Sequence, residues 1–266
     1  MIIAKGNQPL FLRSLRSWRL EVCARSWLLL FGLAGVIWSA ITLPAFRSAA
    51  PAKDATARIL ADDRFKSATL SDLLELMLAS PEPIVQRSDL PRAETLVRVR
   101  IAEEAIRRQD PAQADRDAAA ANERLKFTLA LNPADSFLWL MLYSLEITRS
   151  GFDNRTAGFL DQSYASGPLE GWISLRRNSL ALAAFHNLSE ASQAAVVSEF
   201  AAMVDSDFTE AAARNLMDVG REQRDRLLGS LANVELIPRE AFAKKLSREG
   251  LKVSVPGVYL DERLWR

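Results

Sequence analysis

Leu131-Asn132-Pro133-Ala134-Asp135-Ser136-Phe137-Leu138-Trp139-Leu140 and Ser166-Gly167-Pro168-Leu169-Glu170-Gly171-Trp172-Ile173 are two versions of one pattern: a proline break, an acid, then a tryptophan in a fresh apolar run. Pro133 and Pro168 lie 35 positions apart and the two tryptophans 33, which is the length of one helical hairpin. Asp205-Ser206-Asp207 marks another break at a similar interval. Such spacing predicts units of helix, short turn and second helix, each burying its apolar face only against the next. The composition agrees. The chain is rich in Ala, Leu, Arg and Glu and poor in β-branched residues, with only 11 glycines in 266 residues, a balance that favours helix over strand.

Towards the N-terminus, Thr69-Leu70-Ser71-Asp72 offers a helix start ahead of Leu73, Leu74, Leu76, Met77 and Leu78, and Pro81 and Pro83 stop the run. Pro91 opens a second helix that Asp110-Pro111 breaks, and a third runs from about Ala112 to Leu131. Towards the C-terminus, Ser150 to Asn154 reads as the turn inside a hairpin. His186 reads as the end of a helix, where it caps carbonyls and suits the dipole. Asp205 or Ser206 reads as an N-cap. The one alternating, strand-like segment is Val253 to Leu260. The expected fold is all-α, with a helical-repeat domain over residues 69–250 and a C-terminal tail over 251–266.

The block from Leu129 to Pro168 resembles the tetratricopeptide repeat. It has a helix ending in Leu-Asn-Pro, an acid two residues later, Trp139 in the next helix, Gly151 in the turn and Phe159 in the return helix. Trp139, Leu142 and Phe159 match the family's packing positions. Tyr143 stands where the family prefers a small residue, Arg155 where it prefers alanine, and the unit that Trp172 begins matches poorly in its second helix. The resemblance covers about 130 residues and implies an α-solenoid that binds proteins. Within it, Tyr143, Trp172, Arg176 and Arg177 are the candidate partner-binding residues, the aromatics as anchors and the arginines for an acidic motif.

A second feature lies further out. Trp27 to Phe46 is twenty residues without a charge, long enough as one helix to match the roughly 30 Å apolar layer of a bilayer. The leader 1–26 holds five basic residues and one acid; by subtraction from totals of 34 and 33, residues 47–266 hold 29 basic and 32 acidic. That asymmetry predicts a cytoplasmic tail, a transmembrane helix over 27–46, a tether over 47–68 and a periplasmic body at a bacterial inner membrane. The rival is a cleaved secretory signal, with Ala50-Pro51-Ala52 as a late site. Cys23, the sole cysteine, precedes the apolar run, so the body can form no internal disulfide.

Reactive constellations are scarce. One histidine, His186, excludes two-histidine metal sites, and neither nucleotide-binding glycine patterns nor a Ser-x-x-Lys nucleophile is present. Glu103-Glu104 and Asp115-x-Asp117 read as solvated acids paired across helical turns. Asp205-Ser206-Asp207 starts like a calcium loop but has Leu216 at the twelfth place. No catalytic residue, cofactor or metal is expected, and the mixed charge argues against nucleic acid. The expectation is a membrane-anchored scaffold or adaptor with protein partners at the inner membrane, an accessory of surface-polysaccharide, secretion or cell-wall assembly. An all-helical envelope hydrolase using Glu or Asp, and a structural membrane subunit packing through Gly32 and Gly35, remain the alternatives.

Overall fold

The computed structural model describes residues 25–40, 54, 56–60, 67–79 and 89–259. Everything regular in them is helical, and no strand occurs among the described residues. Residues 25–40 form α1. The body follows as α2 (Ser67–Ala79), α3 (Asp89–Arg107), α4 (Pro111–Leu131), α5 (Ser136–Ser150), α6 (Asn154–Ser166), α7 (Gly171–Ala183), α8 (Glu190–Asp205), α9 (Thr209–Met217), α10 (Arg224–Ser230) and α11 (Leu236–Arg248).

The breaks are built as local chemistry requires. Asp110 accepts from the Gln113 amide at 3.1 Å with Pro111 at the first helical position, so proline's missing donor falls where no partner is needed. Asp135 caps α5 through the Leu138 amide at 3.1 Å. Asp153 and Thr156 form a reciprocal capping box at the start of α6. Between α5 and α6, Gly151 adopts φ +78°, a conformation that costs a side-chain-bearing residue.

Short connections make α3 and α4, then α5 and α6, antiparallel neighbours, and α4 packs on α5 to join the pairs. From α7 onward the pairing is less regular: α8 meets α7, α9, α10 and α11. One core runs through all of these, from Leu96 and Leu125 through Leu138, Leu142 and Leu160 to Val196, Phe200, Leu216 and Phe242. Polar ties cross the layers where helices meet. Thr95 and Thr128 share a 2.7 Å hydrogen bond between α3 and α4, and Asn122 donates to Glu146 at 2.7 Å between α4 and α5.

Three boundaries differ from those the sequence predicts. Residues 251–259 are not a strand but an irregular segment with a turn at Pro256–Gly257. Val255 there is buried, and Arg239 Nη1 donates to the Pro256 carbonyl at 2.7 Å. Among the described residues there is no second strand to pair with it, and its backbone bonds locally instead, the Val258 amide to the Val255 carbonyl at 3.1 Å and the Leu251 amide to the Leu246 carbonyl at 2.9 Å. Residues 260–266 lie outside the described residues. Asp205 and Ser206 end α8 rather than start α9: the Ser206 amide bonds to the Ala202 carbonyl, Asp207 sits at φ +65°, and α9 has no side-chain cap. Part of the expected tether is ordered, because residues 56–60 are helical and Ile59 and Leu60 pack against the core. Residues 41–46, the end of the expected membrane span, lie outside the described residues. Every residue of α1 is exposed, and among the described residues no helix is long and apolar enough to cross a membrane.

Candidate functional site

The first helices of three successive pairs, α3, α5 and α7, line a cleft of about 400 Å³. Its floor is apolar: Val99, Met141 and Leu145 are each at most 5% exposed. Ile106 and Leu175 reach its rim, at 38% and 44% exposure. Ser144, Thr148 and Ser179 add hydroxyls, of which Thr148 donates to the Ser144 carbonyl at 2.8 Å. The Ser144 hydroxyl itself, buried in the cleft wall, has no hydrogen-bond partner among the described residues. One ion pair spans the cleft, Arg176 Nη2 on α7 to Glu103 Oε1 on α3 at 2.8 Å, while the other Glu103 oxygen takes Arg100 at 2.9 Å.

The residues singled out from sequence part company here. Arg176 lines the cleft with its side chain 44% exposed. Arg177 does not: it is fully buried, and its assignment to a partner surface is corrected. Consecutive helical residues point about 100° apart, so one arginine faces the cleft while the next turns into the interior. Tyr143 is corrected likewise, being 1% exposed in the core, where burial raises its pKa above 10.0. Trp172 is 46% exposed and rests on Phe137 at a centroid separation of 4.9 Å. Trp139 stacks on Phe159 at 6.1 Å and donates its indole N–H to the Pro133 carbonyl at 2.8 Å, and Leu142 is 2% exposed. Trp139, Leu142 and Phe159 thus all pack against or within the core.

Arg177 belongs to a sealed network that reading along the chain missed. Its Nε and Nη2 reach Glu199 Oε1 at 3.0 and 2.6 Å, both side chains being 0% exposed. Its Nη1 donates to the Ser163 and Gly167 carbonyls at 2.9 Å each. Glu199 also accepts from Ser174 at 2.8 Å and from the Tyr164 hydroxyl at 2.7 Å. Asn178 and Asn215 extend the network to α9. Tyr164 is held neutral well above its ordinary pKa, first by burial and then by the negative charge of Glu199. Gly167 makes the closure possible, since a Cβ there would lie 2.4 Å from the Ser136 hydroxyl. With its acid so fully bonded and no opening to solvent, the network joins α6 to α9 and is not a place for substrate. A polar face at Ser174, Arg177 and Asn178, spaced i, i+3 and i+4, was the only signal in the sequence; Glu199 has none of its own.

His186 lies in a 3-10 turn after α7 and caps no carbonyl, its Nε2 standing 3.0 Å from Glu222 and 3.2 Å from Gln223, all at the surface. Glu103 and Glu104 each pair within a turn, with Arg100 and Arg107. No group of three or more metal-ligating side chains occurs among the described residues. No family model, curated protein or solved structure matches this chain.

Proposed function

We propose that this protein is a membrane-anchored, tetratricopeptide-like scaffold of the bacterial envelope, which takes a segment of a partner protein into the cleft between α3, α5 and α7. The cleft carries the reading: three successive first helices present an apolar floor that stays open to water, as a peptide-binding groove requires. The anchor is the uncharged stretch 27–46, with the body on the periplasmic side of the inner membrane. Its support is the charge asymmetry of the flanks and the exposure of α1, where Leu29 at 74%, Phe31 at 69% and Val36 at 67% are apolar side chains that need a cover other than water. An accessory role in surface-polysaccharide, secretion or cell-wall assembly follows by analogy.

Photo-crosslinking tests the cleft. A crosslinking amino acid at Leu175 or at Thr148 should trap the same partner in membranes, and one at Ile237, 78% exposed on α11, should not. Equal trapping from all three positions, or none from the first two, would remove the cleft as the docking site. A reporter active only outside the cytoplasm, fused after Arg266, tests the topology, and its silence there would sink the periplasmic placement.

A further inference from the structure

The cleft is open at its rim and narrow at its floor. Met141, Leu145 and Val99 are at most 5% exposed, so a segment lying in the cleft would touch Ile106 and Leu175 at the rim and little beneath them. A docking site needs its apolar area within reach of the occupant. More of the floor comes within reach only if α7 moves away from α3 and α5, and the bonds that hold α7 show how it can move.

On its back, α7 is held by bonds that water does not reach. Arg177 donates to the Ser163 and Gly167 carbonyls at the end of α6 and to Glu199 on α8, and Tyr164 of α6 donates to the same Glu199. At the start of α7 the first residues of α5 are tied in: Ser136 donates to Glu170 at 3.2 Å and Phe137 packs on Trp172. On its front, α7 has one bond across the cleft, Arg176 to Glu103, and its broad packing is on α8 and α9 rather than on α3 or α5. The helix is thus fixed along its back and at its first turn, and fastened over the cleft by a single ion pair. Releasing that pair strands no charge, since Glu103 keeps Arg100 at 2.9 Å and Arg176, 44% exposed, passes to water.

We infer that α7, with the helices packed behind it, swings about the buried network to open the cleft for its occupant, and that the Arg176–Glu103 pair is the latch that holds it closed at rest. This rests on the docking reading proposed above and adds how that site is controlled. Because the latch is an exposed pair, the closed and open forms differ little in free energy, and an occupant that gains the floor shifts the balance by its higher affinity for the open form. Arg176 is then a gating residue and not a contact for the partner.

The test is a distance measurement on the full chain in lipid nanodiscs. In a Cys23→Ser background, one pair of spin labels goes on cysteines at Arg108, just past α3, and Ala183, the last residue of α7, both exposed. A second pair, at Ala165 on α6 and Ser198 on α8, reports the back of the hinge. Arg176→Gln, Glu103→Gln and the double variant should lengthen the first distance equally, because all three remove one bond, and should leave the second unchanged. High salt should lengthen the first distance in wild type and not in the variants. With a crosslinking amino acid at Thr148, capture of the partner in membranes should rise about two- to fivefold in Arg176→Gln, following the open fraction. An unchanged first distance, or both distances lengthening together, would overturn the latch and leave the docking site to its own crosslinking test. A longer first distance with unchanged capture would overturn the latch's control of docking. No capture in wild type or variant would remove the docking site, whatever the distances show, and the control with it.

Discussion

Arg176 and Arg177 are neighbours on α7 with the same side chain, and they share almost nothing else. Arg177 is sealed, with four of its bonds going to Glu199 and to two backbone carbonyls. Arg176 stands half in water and makes one bond across an open cleft. The difference is one of geometry: 100° of helical rotation separates a group whose loss leaves a buried charge stranded from one whose loss water repairs. The molecule accordingly divides into a junction of α6 to α9, fastened by buried polar bonds, and a cleft of α3, α5 and α7, kept open and lightly bridged.

The largest effect should come from breaking the sealed side. Arg177→Met leaves Glu199 buried with no cation, and should cost about 3–5 kcal/mol in denaturant unfolding. Arg177→Met/Glu199→Leu, which removes both charges, should recover much of that loss. A single mutant costing under about 1 kcal/mol would mean that the junction is not fastened this way.

The two tryptophans sharpen the same contrast. Trp139 stacks on Phe159 and donates to Pro133, so Trp139→Ala should cost about 2–3 kcal/mol, somewhat below the loss of a fully buried aromatic. Trp172, half exposed, should cost less by the same denaturant measurement, and an equal cost would place it in the core rather than at the surface.

These outcomes bear on what the chain disclosed. Helix positions were legible because prolines at 111, 133 and 168 and acids at 110, 135 and 153 set the breaks by local rules that need no tertiary partner. The packing roles of Trp139, Leu142 and Phe159 followed from periodicity and resemblance. Which of two adjacent arginines faces water did not, because it depends on where α8 brings Glu199, 22 positions away. The same limit explains Val253 to Leu260: alternation is a sound strand signal only when a second strand exists to pair with.

Tyr164 offers a smaller, pH-dependent test of the sealed side. Its hydroxyl donates to Glu199, so Tyr164→Phe should cost about 1.5–2 kcal/mol at neutral pH. The folded phenol ionises well above 10.0, so the unfolded chain loses its proton first as pH rises. The stability contributed by this group is therefore complete below about pH 10 and declines above it. In unfolding titrations between neutral and strongly alkaline pH, the gap between wild type and Tyr164→Phe should shrink above that point, and a gap that widens would reverse the assignment.

The smallest effect belongs to the open side. Arg176→Ala removes an ion pair that is 44% exposed on one side, and Glu103 keeps Arg100 at 2.9 Å, so no charge is left buried without a partner. Exposed pairs of this kind contribute about 0–1 kcal/mol, and the denaturation midpoint should move little. The consequence should appear in the cleft instead. Without its bridge the floor between Val99 and Leu175 is more open, so a segment that occupies the cleft should bind at least as well as to wild type. A loss of stability above about 2 kcal/mol would mean that Arg176, like its neighbour, fastens the fold, and the contrast between the two faces of α7 would fail.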